Sequence, residues 1–189
     1  MVRVVLFISC LLCFILVGCQ DAVKKESPVE VFIADGQAFP EFLVGTWKAE
    51  GKSGWELTFA RNGTITKAVI ALGQFEIVPG QTAVVPMKMG KQSIIIPGQW
   101  VVQYLPSKSM LTVKIVLKSF HVEIGDGYLE GHSENIFVGH VDSDTNEWLA
   151  KWTLFRKATA NTPETQNFDL SSDLDYGETN DLVFRKVTE

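Results

Sequence analysis

LTVKIVLKSFHVEIGDGYLEGHSENIFVGHVD, residues 111–142, is the stretch that decides the fold. Leu111, Val113, Ile115 and Leu117 alternate with polar or smaller neighbours, so a strand places all four on one face. The apolar parity then switches to Phe120, Val122 and Ile124. A change of parity inside one apolar stretch is what a β-bulge produces, and the switch puts it near Lys118 and Ser119. Asp126-Gly127 is a hairpin dipeptide, and the chain runs back from Tyr128 to Asp142 with Leu129, Phe137 and Val141 sharing a parity. Strands this long suit a barrel rather than a small flat sheet.

On either side the period remains two, and no amphipathic helix longer than a turn or two is found from Leu43 onward. Upstream, Trp100–Leu105 reads as a strand ended by Pro106 and Ser107. Downstream, Ser143–Asn146 turns the chain into Glu147–Lys157, where Trp148, Ala150, Trp152 and Leu154 share a face. Large and small residues alternating in this way fit the interior of a small barrel. Nearer the N-terminus, strands are expected at Leu43–Glu50 and Trp55–Ala60, then a tight Asn62-Gly63 turn with φ > 0 at both residues and a return strand from Thr64. Between Ala68 and Pro97 the apolar runs are broken by glycines and prolines, which predicts short or bulged strands. Residues 158–181 carry six carboxylates and no Lys or Arg, an acidic loop, and residues 182–187 make a closing strand. The fold class is therefore all-β: a single antiparallel meander barrel, or barrel-like sheet, of about 8–10 strands.

At the other end of the chain, Arg3 is the only charge before a run of 14 uncharged residues from Val4 to Val17. That is the anatomy of a signal peptide, too short for a bilayer-spanning helix of about 20 residues. The run closes on Leu16, Val17, Gly18 and Cys19, which resemble the lipobox of bacterial lipoproteins. The resemblance implies cleavage between Gly18 and Cys19, a diacylglyceryl thioether on Cys19, and usually acylation of the new amino terminus. Two or three acyl chains give stable anchoring where one does not. It also implies a cell-envelope location. Under Gram-negative sorting, Gln20 after the lipidated cysteine directs the protein to the outer membrane, facing the periplasm.

Three units follow: the leader 1–18, a lipidated tether 19–38, and a β-barrel domain 39–189. Within the tether, Val29–Ile33 is either part of the linker or an added edge strand. Cys10 and Cys13 leave with the leader, so the mature domain has no intramolecular disulfide and must stand on its hydrophobic core. Loss of Arg3 takes the 17 basic residues to 16 against 22 acidic, a net charge of about −6. That balance excludes nucleic acid as a natural partner, and lipid rather than basic charge would hold the chain to a membrane.

Phe42, Gly45 and Trp47, after the lead-in Phe39-Pro40-Glu41, resemble the Phe-x-x-Gly-x-Trp opening of lipocalin-like and other calycin barrels. Phe137, Gly139, Val141, Trp148, Trp152, Leu154 and Arg156 are similar to the last strands of the avidin-like branch. There a late basic residue packs over the first-strand tryptophan, a role that falls here to Arg156 or Arg185 on Trp47. The resemblance implies a barrel able to hold a small apolar ligand. In that reading Trp47, Trp100, Trp148 and Trp152 line a cavity; in the alternative they fill it.

Each histidine precedes a carboxylate by two: His121 and Glu123, His132 and Glu134, His140 and Asp142. With Asp126-Gly127 as a two-residue turn, Glu123 faces Glu130 and His121 faces His132, on the outside of the barrel. Two readings follow, a solvated polar face or a zinc or copper site on His121, Glu123, Glu130 and His132. Asp142, Asp144 and Asn146 begin like a calcium loop, but Glu147 and Thr153 break the pattern, leaving a polar hairpin turn. The chain carries no phosphate loop, nucleophile elbow or His-Glu-x-x-His helix, and the sequence calls for no catalytic residues and no cofactor. The expectation is a non-enzymatic, lipid-anchored binding protein that carries a small apolar ligand. The alternative is a structural or assembly lipoprotein with a filled barrel, docking a protein partner through the acidic segment or the Tyr128–Asp142 edge; a hydrolase is a third class.

Overall fold

The computed structural model describes residues 27–70, 75–161 and 178–187. Gly18, Cys19 and most of the acidic segment lie outside the described residues. The strands are β1 (Val29–Ile33), β2 (Gly45–Ala49), β3 (Glu56–Phe59), β4 (Ile65–Ile70), β5 (Phe75–Ile77), β6 (Ala83–Pro86), β7 (Gln92–Pro97), β8 (Trp100–Leu105), β9 (Met110–Ile124), β10 (Gly127–Asp142), β11 (Glu147–Ala160) and β12 (Glu178–Lys186). Only single 3₁₀ turns interrupt them, and among the described residues no helix is long and apolar enough to cross a membrane.

The 12 strands form one barrel-like sheet; ten follow the order β1-β8-β9-β10-β11-β12-β2-β3-β4-β5, and β6 and β7 branch from it where β7 pairs with β9. Two antiparallel meanders, β8 to β12 and β2 to β5, are joined where β12 pairs with β2. The sheet is mixed rather than wholly antiparallel, because β1 runs parallel to β8, with Val29 opposite Trp100. Val29–Ile33 is thus an edge strand of the packed body, with Val29 buried. β9 is long enough to hold two partners in succession on one edge, β8 along Met110–Lys114 and β7 along Leu117–His121. The sheet does not close: among the described residues β5 pairs only with β4, and β6 only with β7.

The bulge forms where the parity switch put it. Leu117 pairs with Ser133 and Phe120 with Gly131, so Lys118 and Ser119 together oppose His132. The hairpin that follows differs from expectation by one step. Gly125, with φ 57, and Asp126 form the turn, and Gly127 pairs with Ile124. A positive φ at the first central residue alone is the type II′ arrangement, which puts glycine there, whereas the expected type I′ turn needs it at both. His121 consequently faces Glu130, not His132, and Glu123 faces Tyr128. The β3–β4 turn is likewise corrected: only Gly63 (φ 82) is left-handed, while Asn62 Oδ1 accepts the backbone N–H of Thr64 at 3.1 Å. The acidic loop is shorter than expected, since 158–160 complete β11 and 178–181 begin β12.

Among the described residues, every buried core residue lies between Val29 and Phe184, and all of these are contained in a chain beginning at Gln20. Its centre is aromatic. Phe137 packs on Trp55, Trp148, Trp152 and Phe184 with ring centroids 4.9, 6.2, 6.3 and 5.7 Å away. The segment before β2 packs against the sheet, Phe39 on Phe59 and Phe42 on Tyr104. Trp47 Nε1 donates to Leu43 O at 2.9 Å, and Lys186 Nζ to Phe42 O at 2.9 Å. The basic residue opposite Trp47 is therefore Lys186, not Arg156 or Arg185. Arg185 points to the other face and pairs with Glu50 and Glu147. Arg156 lies ten residues beyond Asn146, whose carbonyl accepts the Lys186 N–H, roughly 30 Å along β11 at 3.3 Å per residue.

Candidate ligand cleft

Strand parity brings a second group of side chains inward, beside the Phe137 cluster. Here β9 contributes Leu117, Phe120 and Ile124, β10 Leu129, Ser133 and Asn135, and β11 Trp152, Leu154 and Arg156. Trp55, Ile70 and Glu178 complete the lining of an open cleft of about 260 Å³. A smaller hollow of about 120 Å³, lined by Phe75, Ile95 and Val122 with five of the same residues, adjoins it. Ligand sites are typically about 300–1,000 Å³, mostly apolar, with a few fixed polar groups, so this cleft suits a slender or small molecule.

Its polar groups sit on one wall. Asn135 is buried; its Oδ1 accepts from Trp152 Nε1 at 3.1 Å, and its Nδ2 donates to Ser133 Oγ at 3.4 Å. These bonds fix which end of the carboxamide is which. Arg156 Nη2 donates to Glu178 Oε1 at 3.0 Å at the mouth.

The tryptophans divide between the two halves. Trp47, Trp100 and Trp148 are fully buried and fill the core, with Trp100 Nε1 donating to Val116 O at 3.1 Å and Trp148 stacked on Phe184 at 4.7 Å. Of the four candidates only Trp152 lines the cleft. Trp55, for which the sequence predicts only the start of a strand, is its partner there, fully buried beneath the cleft and 5.9 Å away in an edge arrangement. The signal available was its place after Gly54, at the mouth of a strand whose Leu57 and Phe59 share its parity.

The histidine cluster lies outside, on β7, β9 and β10. His121 Nδ1 is 3.3 Å from Glu130 and Nε2 is 3.3 Å from Glu123, with Tyr128 tilted over the ring at 4.8 Å. Lys91 Nζ sits 3.0 Å from Glu123, and Ser93 Oγ accepts the Glu123 backbone N–H. The Lys91 bond, then His121, holds the Glu123 carboxyl below its ordinary range. The structure brings His121, Glu123 and Glu130 together, while His132 sits across the bulge and pairs with Lys157. Among the described residues no three His, Cys, Asp or Glu side chains are grouped as metal ligands. Asp142 commits Oδ1 to the backbone N–H groups of Asp144 (2.8 Å) and Thr145 (3.3 Å), which keeps its carboxyl low and shapes the β10–β11 turn.

Comparison with protein-family models, with curated proteins and with solved structures finds no match to this chain.

Proposed function

We propose that this is a lipid-anchored cell-envelope protein of binding rather than enzymatic type, which holds a small apolar molecule in the cleft beside Trp55 and Trp152. The observation that carries the reading is the division of the interior. One half is packed with aromatic side chains, and the other leaves an apolar hollow with buried polar groups on a single wall. Ser133 is the one hydroxyl of that lining among the described residues, and its neighbour is the amide of Asn135, which cannot take a proton. Such a lining supports binding, not nucleophilic chemistry. The anchor rests on the lipobox resemblance of Leu16, Val17, Gly18 and Cys19.

Native mass spectrometry of the chain from Gln20, prepared without detergent, tests the carrier. A co-purified small molecule lost on organic extraction supports it, and a bare mass that takes up no added alkane or alcohol removes it. Cys19→Ala tests the anchor, with the expected outcome that the full chain leaves the membrane fraction. One observation favours the scaffold alternative: Val84, Ile94 and Ile96 stand exposed together on the outer face of β6 and β7, with Val84 directly opposite Ile94. Apolar side chains grouped on a sheet surface mark protein docking sites.

A further inference from the structure

The chain that leads back to Cys19 and the β6–β7 hairpin share a root. Trp100 N–H, three residues past β7, donates to Pro28 O at 3.0 Å, and a Cβ on Gly80, three residues before β6, would stand 2.9 Å from that of Pro28. Pro28 therefore lies between the two ends of the hairpin. From Ser27 back to Cys19 is eight residue steps, at most about 29 Å of extended chain. From Gly80 to Met89, at the hairpin tip, is nine steps, at most about 30 Å. A lipid on Cys19 and the tip of the hairpin thus have nearly the same reach from one point.

The hairpin is also where apolar side chains gather on the outer surface. Of the eight large apolar side chains exposed among the described residues, four stand on it, Val84, Met89, Ile94 and Ile96, and such grouping marks a docking surface for protein or lipid. Met89 is 85% exposed and is held at φ 58, a backbone region that bulky side chains seldom occupy. The charge is one-sided as well. Between Glu76 and Glu123 the sequence carries five lysines (Lys88, Lys91, Lys108, Lys114 and Lys118) and no Asp or Glu, in a chain whose net charge is negative. Lys88 and Lys91 flank Met89, and Lys91 Nζ lies 3.0 Å from Glu123, the carboxylate beside the hairpin. An apolar tip set between lysines matches a bilayer interface, where acyl chains lie beneath a layer of phosphates.

Resting on the lipid anchor, we propose that the β6–β7 hairpin is a second contact with the same bilayer, with Met89, Val84 and Ile94 in the interface and Lys88 at the phosphates. The shared root favours lipid over a protein partner, because acyl chains on Cys19 hold the bilayer within reach of this hairpin. The anchor also supplies effective concentration: a contact too weak to hold the free chain becomes an intramolecular step once Cys19 is in the membrane.

The test replaces the natural anchor, so that it does not depend on lipidation. The chain from Gln20, with Met89→Cys as its only thiol, carries a polarity-sensitive dye there and is held by an N-terminal histidine tag to phosphatidylcholine–phosphatidylglycerol vesicles containing a nickel-chelating lipid. Doxyl groups on the acyl chains are expected to quench this dye severalfold more than the same dye at Leu149→Cys, exposed on β11 three strands away, and Lys88→Glu to reduce the difference. Amide hydrogen exchange over residues 84–94 of the unlabelled chain reads the same contact should the labelled chain not fold, and is expected to slow on the vesicles. Equal quenching at the two positions, or exchange unchanged by the vesicles, overturns the membrane contact and leaves the exposed apolar face to a protein partner. Failure of the anchor reading shows separately, in a mature chain whose mass carries no acyl groups.

Discussion

Replacing Phe137 by alanine probes the wall between the packed half of the barrel and the cleft. Its ring is fully buried and touches four aromatic neighbours: Trp148 and Phe184 on the packed side, Trp55 and Trp152 on the cleft side. Truncating a buried phenylalanine costs about 3–5 kcal/mol, from lost transfer energy plus the cavity left behind. Aromatic pairs add about 0.5–1.5 kcal/mol each beyond area, which places this site at the top of that range, about 5 kcal/mol. Against a total stability of about 5–15 kcal/mol, the variant is barely folded or unfolded. Phe137→Leu keeps most of the volume and is expected to lose about 1–2 kcal/mol. Urea unfolding followed by tryptophan fluorescence and far-ultraviolet circular dichroism measures both. With a slope of about 2 kcal/mol per molar, the alanine variant moves the midpoint down by about 2.5 M. A loss below about 1.5 kcal/mol for Phe137→Ala would refute the reasoning, because a ring clamped among four others cannot be removed that cheaply.

Two further outcomes follow from contacts of β12 and of the outer face. Lys186→Met removes the bond that ties β12 to the Phe42 carbonyl and is expected to lower stability by about 1.5 kcal/mol in the same urea assay, whereas Arg185→Met, on the opposite face, leaves that tie intact. Glu123 has its carboxyl lowered by Lys91 and His121, so its contribution is present above the ordinary carboxylate pKa and fades as pH falls through the lowered value. The melting-temperature gap between the native chain and Glu123→Gln should therefore shrink below about pH 4.

The parts of the fold that were legible in the sequence share a cause. Period-two alternation reports burial directly, so the face shared by Leu111, Val113, Ile115 and Leu117, and the bulge at Lys118 and Ser119, follow from residue order alone. Turn geometry is less directly encoded. In Gly125-Asp126-Gly127 either glycine can take the left-handed position, and choosing the wrong one slides the hairpin and separates His121 from His132. Which basic residue meets Trp47 depends on the register between strands far apart in sequence, and no local pattern distinguishes Lys186 from Arg185. The cleft was invisible for a stronger reason: a hollow is a difference between enclosed volume and side-chain volume. Trp148 and Trp152 read alike on one strand face, yet one stacks on Phe184 in the core and the other borders open space.

The five indole N–H groups offer the most direct measurement, each giving its own resonance in a ¹H–¹⁵N correlation spectrum of the chain from Gln20. On titration with decanol, the Trp55 and Trp152 indole signals are predicted to move together, along with the Asn135 side-chain amide, while those of Trp47, Trp100 and Trp148 stay in place. Movement spread evenly over all five, or confined to the three core tryptophans, would contradict a filled core with a ligand cleft beside it.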